Sequence, residues 1–376
     1  MSGRPTDHAN IDLCQLNLDV AFGRAGGKII WQPRIGAWLD YKRFKGIPLP
    51  EWCADKNAHE ILRELGVAAR LYDFNGCFVS CDDPRVKTHQ EVLDERRVQS
   101  TIETPAGDLT AIIHSSEDNW TQRQRKWFVS TEEDMKVATW RAEHQTWSFD
   151  QDLYDELLAK WGDLGAPTMY MPRTNVQGLY IHFAGVEGGI MAIYDHPDTC
   201  EAFFRALDDS HDRLCDVLNE SPVELINFGD NVHADTCSPA LFEKYMLPAY
   251  QRRCEKLHAG GKFVFAHWDG NCKPLLPYAH ETGLDGIEAI TPLPQGDVTL
   301  EECAEALGEM VMIDGLPAVY FDETFSEQEL IDCTKKMIDL FAPNLILGIS
   351  DEISTFGDIE RVRLVTQVVD DYNASL

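Results

Sequence analysis

Residues 223–239, VELINFGDNVHADTCSP, and residues 261–270, GKFVFAHWDG, decide how the chain is read. Each begins with a short apolar run, Val223 to Phe228 and Lys262 to Ala266. Each run breaks at once into polar residues able to bind or catalyse: Asp230, Asn231 and His233 after the first, His267, Trp268 and Asp269 after the second. The stretch between them has a helical pattern, so the order is strand, loop, helix, strand, loop. When such strands run parallel, their carboxyl ends open on one face and the polar tips converge there.

Working outward, the same alternation continues. Pro167–Met171 is apolar, and a helix begins at His196-Pro197 and runs to about Leu218. Strands are expected at 285–290, 311–316 and 345–349, separated by helices at 274–282, 299–307 and 326–340, with a last helix over 358–372. The spacing is roughly 25 to 40 residues, about that of a strand-helix-strand unit. There is no GxGxxG or GxxxxGK[ST] loop, which removes the common nucleotide-binding motifs. Towards the amino end, residues 8–24 have an amphipathic helical pattern, KIIW supplies a first strand ending near Arg34, residues 57–66 form a short helix, and Leu71–Phe78 is strand-like. Residues 96–116, RRVQSTIETPAGDLTAIIHSS, alternate about a Pro-Ala-Gly-Asp turn and read as a hairpin. The expected architecture is an α/β protein, a (β/α)8 barrel with an N-terminal helix and an inserted β-hairpin at about 96–115, forming one domain over 1–376.

The composition, 44% hydrophobic and 26% charged, is that of a globular protein. Its 33 basic against 63 acidic residues give a formal charge of −30, which repels phosphate backbones and anionic lipids, so neither nucleic acid nor membrane is an expected partner. No run approaches the roughly 20 apolar residues of a membrane span, and the first 25 residues lack a secretory pattern, so a cytoplasmic location is expected. The eleven cysteines are scattered without a CxxC pair and read as thiols, with Cys237 and Cys272 notable for following the two polar loops.

The residues at the expected strand ends are Arg34, Asp230, Asn231, His233, His267, Asp269, Glu288, Asp314, Asp351 and Glu352. Imidazole with carboxylates suits zinc and equally a metal-free acid/base site. Arg34 fits either an anion clamp or a salt bridge, and Glu288 fits a buried pair with Arg34 or Lys273. Trp31, Trp38 and Trp268 are candidate apolar walls for a substrate.

Six stretches, WQPRIG, ETPAGDLT, INFGDN, FEKYMLPAYQRRCEKLHAGGK, HWDG and LILGISDEIS, together resemble the uroporphyrinogen decarboxylase superfamily. Within it, they are most similar to the branch of corrinoid-dependent methyltransferases, of O-demethylase type. The resemblance implies a barrel with a cleft at the carboxyl end of its strands, zinc, and methyl exchange with a cobalamin carried by a separate corrinoid protein. In the thiol-activating members a His-x-Cys pair and a later Cys hold the zinc; here those places read His267-Trp268-Asp269 and Ser350-Asp351.

The expectation drawn from all this is a zinc-dependent methyltransferase that moves a methyl group from a small methylated or methoxylated compound to a corrinoid protein. His267, Asp269, Glu288 and Asp351 are the expected metal residues. Arg34, Asp230, Asn231 and His233 are the expected catalytic ones, and Trp31, Trp38 and Trp268 the expected substrate contacts. The alternatives are a metal-free decarboxylase or lyase of the same fold and a non-catalytic small-molecule binder. The sequence leaves monomer and homodimer open.

Overall fold

The computed structural model describes residues 12–376. The first helix is Leu13–Ala21, started by the Asp12 carboxylate, which accepts from the Gln15 amide; the earlier part of the helix expected over 8–24 lies outside the described residues. Thirteen strands follow in chain order: β1 Ile30–Trp31, β2 Phe78–Cys81, β3 Lys87–Val92, β4 Arg97–Thr104, β5 Gly107–Ser115, β6 Gln122–Lys126, β7 Thr146–Phe149, β8 Thr168–Met171, β9 Leu225–Val232, β10 Phe263–Trp268, β11 Gly286–Glu288, β12 Val311–Pro317 and β13 Leu345–Ser350.

Seven of them form one curled parallel sheet in the order β1-β13-β12-β11-β10-β9-β8. Residues 68–71 fill the gap between its two edges: the Ala68 amide donates to Trp31 O at 3.1 Å, the Thr168 amide donates to Leu71 O at 3.3 Å, and Leu71 bridges Pro167 in parallel. This segment is the eighth stave of the barrel. The sequence reading placed it too late, at Leu71–Phe78. Tyr72–Cys77 instead makes a 3-10 helix, and β2 leaves the barrel to pair antiparallel with β7. The turn-forming Asp73, Asn75 and Gly76 explain the break, and Asn75 Oδ1 accepts from the Tyr170 amide at 2.7 Å.

Strand alternation separates two apolar layers. Ile30, Ala68, Ala166, Leu225, Phe263, Phe265, Val311, Ile313 and Ile346 fill the lower barrel, closed from below by Val20 and Ala21 of the first helix. Trp31, Ile226, Phe228, Val264, Ala266, Ile287, Met312 and Leu347 point outward into the helix layer. Each buried Val, Leu, Ile or Phe among them contributes roughly 1.5–3 kcal/mol, and the lower barrel is a packed apolar plug.

The expected hairpin at 96–115 is the centre of a larger insertion. β3 to β6 form a four-stranded antiparallel sheet, with β4 and β5 paired from Arg97↔His114 to Thr104↔Gly107. Its outer strands, KTHQEV and QRQRK, are largely exposed and carry no apolar alternation that could have marked them. Ile102, Leu109 and Ala111 are buried beneath it. No helix among the described residues is long and apolar enough to cross a membrane.

Candidate active site

Directly above the apolar plug the barrel interior turns polar. Arg70, on the eighth stave, reaches across the lumen to β12, where Nη2 donates to Asp314 Oδ1 at 2.8 Å and Nη1 to Asp314 Oδ2 at 3.0 Å. Nη1 also bonds Glu288 Oε1 at the end of β11. Glu288 is fully enclosed and accepts further hydrogen bonds from Tyr72 OH at 2.9 Å and Asn227 Nδ2 at 2.5 Å, while its Oε2 lies 2.9 Å from His267 Nδ1. Asn227 Nδ2 also lies 2.6 Å from Tyr72 OH, and its Oδ1 has no partner among the described residues.

Backbone geometry lets this cluster form. Val311 and Ile313 face the lumen, so regular alternation would turn Asp314 outward. A left-handed φ of 71° breaks the alternation there, a conformation disfavoured for a residue with a Cβ. Across the register Gly315↔Gly348, the missing side chain of Gly348 leaves the space the Asp314 carboxylate occupies.

The two carboxylates end up electrostatically unlike. Burial works to raise Glu288, but Arg70, the hydrogen bond with His267 and the nearby Arg34 together hold it well below the usual carboxylate range. Burial raises Asp314, and the charge of Glu288 raises it further against the opposing pull of Arg70. Burial and then Glu288 push the Tyr72 hydroxyl far up. An ionised Glu288 only accepts, so His267 carries a hydrogen on Nδ1 and presents Nε2 to the lumen.

Around the rim, Arg34 bonds Asp351, and its Nη2 donates to Glu352 Oε1 at 3.0 Å. Tyr170 on β8 meets Tyr72 edge-on at 5.1 Å, and burial raises its hydroxyl to about 12. Arg173, just past β8, sits 5.8 Å from the Tyr170 ring and donates from Nη1 to Asn231 Oδ1 at 2.8 Å.

These placements correct several sequence expectations. Both oxygens of Asp230 are used, accepting from the Thr174 amide and from Tyr250 OH at 2.6 Å each, so it anchors a loop and does not face substrate. His233 lies off the cluster and meets Thr236 Oγ1 at 3.2 Å. Trp268 has no exposed surface and packs against Phe242 in the helix layer. The Trp38 indole donates to Gly357 O at 2.8 Å, and Trp31 borders a cavity of about 340 Å³ at the amino end of the strands, beside Leu13 and Leu16. The aromatic surfaces at the site come from Tyr72 and Tyr170.

The expected zinc set does not converge either. Glu288 is saturated by Arg70, Tyr72, Asn227 and His267, which makes it the support of His267. Asp351 is bound to Arg34, and Asp269 lies one residue beyond Trp268 at the end of β10. Among the described residues no three His, Cys, Asp or Glu side chains group as a metal site requires. His267 Nε2 is a single donor where a catalytic zinc takes three protein ligands. The residues do not fit zinc, and no chemical step is drawn through it.

Sequence reasoning missed Arg70, Tyr72, Tyr170, Arg173 and Asn227. Two of them left a signal: Arg70 interrupts the apolar run VAARLY, and Asn227 interrupts LINFG. A polar residue inside an otherwise apolar strand is costly to bury unless it is satisfied.

The family model of uroporphyrinogen decarboxylase (URO-D) matches residues 182–372, slightly more than half of the 376 residues. No curated protein sequence matches the chain. Among solved structures, a methyltransferase from Methanosarcina mazei is similar with a TM-score of 0.58 at 13% identity, over 94% of this chain and 97% of that one. A B12-independent methionine synthase from a Shewanella species gives a TM-score of 0.45 at 11% identity, over 88% of this chain and 90% of that one. At such identity the first likeness speaks to the fold, and it agrees with the barrel described above.

Proposed function

The chain belongs to the uroporphyrinogen decarboxylase (URO-D) family, and from that premise we propose that it is a methyl-transfer enzyme acting on a small methylated compound. The observation that carries the proposal is the His267–Glu288 pair, at 2.9 Å, at the carboxyl ends of adjacent barrel strands. Such folds place their chemistry at that end. In a methyl transfer the acceptor's electron pair attacks the methyl carbon, and the bond to the leaving oxygen, nitrogen or sulfur breaks with its electrons going to that atom. His267, its ring oriented by the hydrogen bond with Glu288, donates a proton from Nε2 to that atom. Proton transfer of this kind contributes typically 10²–10⁴-fold in rate. Tyr72 and Tyr170 supply the aromatic surface beside the methyl group.

The charges at the site favour this reading over decarboxylation of a porphyrinogen carrying several carboxylates. Arg70 is already shared by Glu288 and Asp314, and Arg34 is engaged by Asp351 and Glu352. Cations so neutralised hold a polyanion poorly. We further propose that the acceptor is a cobalamin on a separate corrinoid protein, the partner implied by the sequence resemblance. The likeness of fold to a methyltransferase supports methyl transfer as the reaction class and says nothing of the acceptor.

The test is incubation of the purified protein with cob(I)alamin and a panel of O-, N- and S-methyl compounds, following methylcobalamin by absorbance. Its formation with at least one donor supports the proposal. Carbon dioxide release from uroporphyrinogen, with no transfer from any donor, contradicts it.

A further inference from the structure

Among the described residues Arg34, Arg70 and Arg173 stand at the upper end of the barrel, and the first two are spent on carboxylates. Arg173 differs. Its one hydrogen-bond partner is the neutral carboxamide of Asn231, and it enters no ion pair among the described residues.

Its position is nevertheless built. Leu225 and Asn227 lie on the lumen face of β9 by alternation; past Phe228 the register with β10 shifts, and there Gly229 comes up against Tyr170 of β8 while Asn231 holds Arg173. Gly229 has no Cβ to meet the Tyr170 ring, which lies beneath the guanidinium at 5.8 Å. Beyond Arg173 the backbone is clamped by two fully buried groups. The Thr174 amide donates to Asp230 Oδ1 at 2.6 Å, and Thr174 Oγ1 accepts from Arg253 Nη1 at 2.9 Å. Asp230 stands close by, but its oxygens are committed to Thr174 and Tyr250. The buried network thus fixes a half-buried guanidinium at the mouth while leaving it without a charged partner.

We propose that Arg173 is the anion-binding residue of this site: held by Asn231 over Tyr170, it takes a single carboxylate carried by the small-molecule ligand. This deepens the methyl-transfer reading and rests on it only in calling that ligand the methyl donor. The planar fork of a guanidinium matches a carboxylate, and a bond between two charged groups is stronger than one between neutral groups. One free arginine recognises one anionic group, which separates this ligand from a polycarboxylate.

The test is calorimetric titration of the full chain with three acid and amide pairs: methoxyacetate and methoxyacetamide, propionate and propionamide, benzoate and benzamide. In at least one pair the acid is expected to bind about tenfold or more tightly than its amide. Arg173→Met should abolish that preference, and Arg173→Lys should keep part of it. Arg173 is half-buried with one neutral partner, so neither change strands a buried charge; thermal melting of both variants checks the fold. No acid preference in any pair overturns the proposal, as does a preference that survives in Arg173→Met. If the preference depends on Arg173 but no donor transfers a methyl group, the anion site stands and the methyl-transfer reading falls. Methyl transfer from uncharged donors without any acid preference does the reverse.

Discussion

His267 Nδ1 lies 2.9 Å from Glu288 Oε2, with 5% of the imidazole side chain and none of the carboxylate exposed. Burial on this scale makes the pair directional: Glu288 fixes the ring and its tautomer, and Nε2 becomes the working atom. The same glutamate is tied through Arg70 to Asp314, so two buried carboxylates share one guanidinium.

Arg70 should be the most sensitive residue of the cluster. Arg70→Met leaves two enclosed carboxylates without their cation, and breaking a buried pair in this way typically costs about 3–5 kcal/mol. Urea unfolding monitored by circular dichroism reads the loss. A change below about 1 kcal/mol, the range of exposed pairs, would show that the fork does not hold the barrel together.

Gly348→Ala tests the space that admits Asp314. A Cβ there overlaps the carboxylate, and overpacking of this kind costs typically about 1–3 kcal/mol. The expected outcome is a lower melting temperature together with reduced turnover. Unchanged melting and turnover would mean that Asp314 has room to move without consequence.

Acid sensitivity should arise away from the site, at His211. Burial first, and Arg253 second, hold this imidazole well below its usual 6.5, and its Nδ1 lies 2.9 Å from Arg253 Nη2. Below pH 6.5 the unfolded chain takes up a proton there and the folded chain does not. The unfolded state then binds more protons, so this contribution is complete above pH 6.5 and is lost as the pH falls, at up to about 1.4 kcal/mol per pH unit. Stability measured between pH 7 and pH 5 should fall less steeply in His211→Asn than in the wild type. Equal slopes would assign the acid sensitivity to other groups.

Metal removal should leave the enzyme unaffected. With no grouped donor set among the described residues, elemental analysis is expected to find no stoichiometric zinc, and a chelator should not change methyl transfer. Near-stoichiometric zinc that disappears in His267→Ala would restore the ligand role expected from the sequence.

Much of the barrel was legible because its strands are short apolar runs ending in polar residues. Those at 225–232, 263–268 and 345–350 fall within a few residues of their expected places. Residues 68–71 were harder to place, since four residues give no usable period and the next apolar residues belong to a 3-10 helix. At the site, the approach of Glu288 to His267 follows from adjacent strands, whereas its pairing with Arg70 joins residues 218 positions apart. No local pattern announces that contact, and without it Glu288 looks like a free metal ligand. Trp31 and Trp268 show a second limit. Each flanks an inward residue, Ile30 or His267, so the two-residue strand period turns it outward into the helix layer. Aromatic character had suggested a substrate wall; alternation decided otherwise.

The most direct test is a single turnover of a ¹³C-methyl donor with cob(I)alamin, comparing the wild type with His267→Ala by the NMR signal of the transferred methyl group. The donor is whichever compound the absorbance panel identifies. The account predicts label on the cobalamin in the wild type, and in the variant, checked by circular dichroism to be folded at the assay temperature, a rate lower by roughly 10²–10⁴-fold. Transfer at the same rate in the folded variant would contradict it, because His267 would then have no part in the chemistry.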